Sequence, residues 1–77
     1  METLCTHRDV IVAALSEKFQ ESLANLGLIS ETHLLEVFVS SSGSWTIVIS
    51  NSIDAMTCMI ASGQNWQLVQ QAIGTPL

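Results

Sequence analysis

Leu34 to Ser62 reads LLEVFVS, SSGS, WTIVISN, SID, AMTCMIAS, and the division of this stretch decides the fold. Three short runs rich in β-branched and apolar residues are each closed by Ser, Gly, Asn or Asp, the residues that favour turns. The pattern predicts three strands joined as an antiparallel meander. Gly43 lies in the first turn, where it adopts positive φ at low cost. Asp54 lies in the second, where Asp is expected on conformational grounds alone. Within the runs the side chains alternate. Leu35, Val37 and Val39 share one face, with Leu34, Glu36 and Phe38 on the other; Trp45, Ile47 and Ile49 oppose Thr46 and Val48; Met56, Cys58 and Ile60 alternate with Thr57, Met59 and Ala61.

One face of this sheet is strongly apolar, through Leu35, Val37, Val39, Ile47, Ile49 and Ile60, and is expected to carry a helix. The other is mixed: Phe38, Val48 and Met59 sit among Glu36, Thr46 and Thr57. Three large apolar side chains in a row across the strands call for a cover. A second copy of the chain is one candidate, which makes Phe38, Val48 and Met59 an expected interface. The tail from Gln64 to Ile73 is the other, since Trp66, Val69 and Ile73 form a short helical stripe before Gly74 and Pro76.

Upstream, Thr6 stands at an N-cap position with Asp9 three residues later. Val12, Leu15, Phe19 and Leu23 recur at helical spacing, widened by Ile11 and Ala14, so a helix begins near His7. Its end has two readings. The helix runs to Leu26 with Gly27 as C-cap, or it stops near Phe19 and leaves Ser22 to Ile29 as a fourth, edge strand; the second is preferred. The expected fold is a single α+β domain over residues 1–77: an N-terminal helix packed on a three- to four-stranded antiparallel meander, with a short C-terminal helix or arm.

Composition narrows the function. A chain of 77 residues buries a small core and calls for a staple or a partner. Its residues are 48% hydrophobic and 12% charged, more apolar than so small an interior can hide, so a homo-oligomer is expected. Seven acidic residues oppose two basic ones, Arg8 and Lys18, for a net charge of −5. Phosphate backbones need clustered cations, so nucleic acid is not an expected partner. No apolar run reaches the ~20 residues of a spanning helix and no basic-plus-apolar leader follows Met1, so membrane insertion is not expected either.

Few residues suggest chemistry. Cys5 and Cys58 are expected either to bridge, closing a loop of about 54 residues worth roughly 4 kcal/mol on chain-entropy grounds, or to remain two reduced thiols with Cys58 an ordinary core residue. His7 and His33 beside these cysteines do not make a metal site, because Cys5-x-His7 is too tight for a zinc pair and the other two stand alone. No cofactor is implied. Glu36 with Thr46 and Thr57 forms a possible polar site on the mixed face, set against the plainer reading of a strand carboxylate bonded to a neighbouring Thr. No catalytic residue is assigned.

Cys5-x-x-Arg8, Leu15, Phe19, Glu21, Gly27-Leu28, Leu35-Glu36-Val37-Phe38, Gly43-Ser44-Trp45-Thr46 and Cys58 to Gln64, in this order, resemble a group of small uncharacterised exported proteins of marine and alphaproteobacterial origin. The resemblance covers residues 5 to 66. It implies a bacterial periplasmic or secreted protein with a Cys5–Cys58 bridge, and it brings no activity or catalytic residue with it. The chain departs from the group in lacking the export signal and in carrying Ile53-Asp54-Ala55 where the group has a Pro/Gly turn. The function expected is a small non-enzymatic binding or interaction module that self-associates; the alternative is a ligand-binding domain or enzyme using Glu36, Thr46 and Thr57.

Overall fold

The computed structural model describes residues 4–69. The fold is α+β, with strands β1 (Leu4–His7), β2 (Ser22–Leu28), β3 (His33–Val39), β4 (Trp45–Asn51) and β5 (Met56–Gly63) and one helix, α1 (Arg8–Phe19). The three strands of the meander are β3, β4 and β5, and the preferred fourth is β2. A fifth, β1, was not expected; it is four residues long and pairs with β5, giving the sheet order β1-β5-β4-β3-β2.

The helix starts one residue later than Thr6 would cap it. His7 is the N-cap, its Nδ1 accepting from the Asp9 amide at 3.3 Å, and Thr6 instead pairs with Thr57 in the sheet. At the other end Gln20 takes the left-handed conformation (φ 53°). The Gln20 amide then donates to the Ser16 carbonyl, and that of Glu21 to the Leu15 carbonyl, which closes the helix without a glycine.

The helix lies on the face opposite to the one its apolarity suggests. Ile11 and Leu15 pack against Phe38 and Val48, with Val12 and Met59 beside them. Phe38 is 2% exposed and Val48 0%, so the expected interface of Phe38, Val48 and Met59 is the interior of a single chain. Strand order supplies the reason. Antiparallel pairing at every step leaves β1 and β2 running in the same direction at opposite edges. The helix is the crossover between them, a connection almost always of one hand, so topology and register choose the covered face and hydrophobicity does not. A bulge in β5 opposite Ile47 and Val48 removes Ile60 from the alternation and leaves it 48% exposed.

After β5 the chain continues as an arm. Residues 64–69 contain no helix, and positions 70–73 of the expected helix lie outside the described residues. The Trp66 amide donates to the Gly43 carbonyl at 2.9 Å, and its ring rests on Trp45 at a centroid distance of 5.7 Å. The Trp45 indole donates to the Gln64 carbonyl. Its ring lies so close over Gly63 that a Cβ there would come within 2.8 Å of it.

Candidate functional site

Under the N-terminal end of α1 the possible polar site resolves into a closed network. Arg8, the first residue of the helix, reaches back to β3 and donates twice to Glu36, Nε to Oε1 at 3.0 Å and Nη2 to Oε2 at 2.6 Å. Ser50 Oγ donates to Oε1 at 2.7 Å; with its one proton so committed, it accepts from Thr57, whose Oγ1 lies 2.9 Å away. Glu36, Ser50 and Thr57 are all almost fully buried. The paired guanidinium, aided by the Ser50 bond, holds the Glu36 carboxyl below its usual range against the opposing effect of burial. The same bond raises Arg8 above its ordinary value. A carboxylate ionised and bonded on both oxygens is a strut, and a poor general base. Thr46 stands apart, separated from Ser50 by Val48 on the same face of β4, and does not enter the network.

A second carboxylate is buried at the far end of the helix. Glu21 is 4% exposed, and its Oε1 has no hydrogen-bond partner among the described residues. Leaving a buried acceptor unmatched costs ~1–3 kcal/mol, so this oxygen stands out among the described residues, whose other buried side-chain polar atoms have partners. Thr46 lies here, lining with Glu21, Ser62, Phe19 and Met59 a cavity of about 160 Å³.

The remaining candidates have structural roles. Cys5 and Cys58 face each other in register across β1 and β5, their Cα atoms 4.0 Å apart, and form a disulfide. They lie on the face away from the helix, so it is the unexpected β1 that brings them together. His33 bonds through Nδ1 to the Thr32 hydroxyl at 2.9 Å, and Asp54 accepts from the Met56 amide in its turn. Among the described residues no cluster of His, Cys, Asp and Glu could hold a metal ion, and no helix is long and apolar enough to cross a membrane.

The sheet face away from α1 carries no helix among the described residues. Leu35, Val39, Trp45, Ile47 and Ile49 are half-buried there, Trp45 beneath the Trp66 ring of the arm, with Val37 buried among them. Glu36 is the only Asp, Glu, Lys or Arg in any of the strands, and it points toward the helix. The open face therefore carries none of these charges, although the chain has a net charge of −5.

Comparison with known proteins finds no family model, curated protein or solved structure that matches the chain. The site must speak for itself. What sequence reasoning missed is which face stays bare. Two signals were present: β3 to β5 hold every apolar residue of that face whichever side the helix takes, and Arg8 is the one cation close enough to α1's start to serve a strand carboxylate.

Proposed function

We propose that the chain is a non-enzymatic interaction module that associates with a second copy of itself through the open sheet face. The observation that carries this reading is an uncharged apolar surface, centred on Val37, Ile47 and Ile49, on one side of a sheet whose other side is already filled by α1. A basic partner would be drawn to the loops, which carry Glu31 and Asp54, since α1 balances Arg8 and Lys18 against Asp9 and Glu17. A face without charge is suited to its own twin, since two such faces stack without like-charge repulsion. Sheets pack in this way about 10 Å apart. Four strands of seven or eight residues and the four-residue β1 present roughly 20 by 24 Å, or about 500 Å² in projection and more in accessible area, of the order of the ~800 Å² per partner that stable interfaces bury.

The edge strand β2 supports a second reading, because all seven of its residues are exposed and none is charged. Ile47→Lys distinguishes the two. On the face reading it yields a folded monomer by light scattering at micromolar concentration, while Leu26→Lys leaves the dimer intact; the reverse pattern assigns the interface to the edge. A wild-type chain that is monomeric at 100 μM would remove both.

The disulfide is consistent with an oxidising compartment. It supports an exported protein of the kind the resemblance implies, in which no reductant would open the bridge.

A further inference from the structure

We propose that the cavity at the C-terminal end of α1 binds a small primary ammonium compound through Glu21. The left-handed turn at Gln20 folds the chain back under the helix, and this burial of Glu21 is a product of the backbone and not of any partner for its carboxylate. Oε1 is buried and unmatched among the described residues, and Glu21 lines the cavity beside it. Among the described residues nothing cationic answers it. Arg8 is committed to Glu36, Lys18 is exposed and forms no ion pair among the described residues, and the end of α1 adds the negative pole of its own dipole. The cavity is thus a socket walled by a carboxyl group, with no cation to fill it among the described residues.

Its walls specify the plug. Thr46 and Ser62, partners across β4 and β5, contribute hydroxyls, while Phe19 and Met59 contribute apolar surface. An ammonium group has three donors in a tetrahedral spread, matched by one carboxylate and two hydroxyl oxygens; a planar guanidinium fork would need both carboxylate oxygens side by side. An aromatic wall also favours a cation. A volume of about 160 Å³ is roughly five waters at ~30 Å³ each, room for an ammonium on a stem of a few carbons. A single carboxylate is too few ligands for a bound metal.

The test is a titration of the intact, oxidised protein with n-butylammonium followed by amide chemical shifts, with n-butanol as neutral control. Saturable shifts at Glu21, Thr46 and Ser62, with a midpoint at least tenfold below that for butanol, are expected. Glu21→Gln should weaken binding at least tenfold, and Ser62→Ala, at an exposed position, about threefold with the fold intact. Nα-acetyl-lysinamide in parallel separates the sources of the ammonium: tighter binding than butylammonium assigns it to a lysine side chain, weaker binding to a free amine. Equal midpoints for butanol and butylammonium, or linear shifts spread over the exposed acids Asp9, Glu17 and Glu31, would overturn the proposal.

Discussion

The covered face of the sheet is the polar one and the bare face is the apolar one. Under α1 lie Glu36, Ser50, Thr57, Thr46 and Glu21 with only Ile11, Leu15, Phe38 and Val48 as a buried hydrophobic centre. On the other side the strands present Leu35, Val39, Ile47 and Ile49 with no helix over them among the described residues. The contrast teaches that a face is covered because the chain must cross it. Once the crossover is set, polar residues beneath it call for partners, which Glu36 finds in Arg8 and Ser50 and the Glu21 Oε1 atom does not find among the described residues. Apolar residues on the other side are the surface that the proposed self-association would cover.

Adjacent residues of β4 give the sharpest way to break this comparison. Val48→Lys places an ammonium in a fully buried position among Ile11, Leu15 and Phe38, and is expected to cost ~4 kcal/mol or more, enough to unfold a domain this small. Ile47→Lys, one residue along and on the opposite face, should change the denaturation midpoint little while changing the mass in solution. Folded protein from the first variant, or unfolded protein from the second, would mean that the faces have been exchanged.

Next in size is the disulfide. Reducing Cys5–Cys58 frees a 53-residue separation and should cost ~4 kcal/mol on loop-entropy grounds. That corresponds to a fall in Tm of roughly 15–30 °C for a domain of this size. Because the bridge lies at the β1 edge, the loss should appear first as hydrogen exchange in β1. Uniform loss of protection across β3 and β4 at the same moment would argue against this order.

Smaller still is the ion pair. Arg8→Ala leaves Glu36 buried and unpaired, a change that costs ~3–5 kcal/mol when both partners are buried. With the Arg8 side chain 36% exposed, about 2 kcal/mol is expected. The pH dependence has a definite sign. Glu36 has a lowered folded-state pKa, so its contribution is complete above the ordinary glutamate range and is lost as the pH falls through the folded value below it. Denaturant midpoints of wild type and Glu36→Gln measured from pH 7 to pH 3 should therefore converge toward the acid end. A constant separation would show that the carboxylate's charge contributes nothing.

The strands were legible because period-two alternation is a local property. Trp45 to Asn51 alternates without a break, and the structure preserves that alternation in burial. The preferred end of the helix near Phe19 was also correct, although Gln20 carries no glycine to announce it. What stayed hidden depends on residues far apart in sequence. β1 is too short for a periodic signal, and Thr6 reads equally well as a cap. Arg8 and Glu36 are 28 residues apart, so only the crossover brings them together. Glu21 looks like any surface acid until the turn at Gln20 buries it. The covered face could not be read from composition, because the more apolar side is the one left open.

The bridge has one more consequence, and it is mechanical. Cys5 and Cys58 sit on neighbouring strands near the two ends of the described chain, with α1 and β2 to β4 inside the ring they close. A pull applied between Leu4 and Val69 passes through the sulfur–sulfur bond and never enters that ring. Only the segment after Cys58 can be drawn out, about 40 Å at ~3.5 Å per residue, against roughly 230 Å if the bond were cut. The oxidised protein thus behaves under tension as a short tether attached to an inextensible bead, its β3–β4 hairpin shielded from any force that acts through its ends.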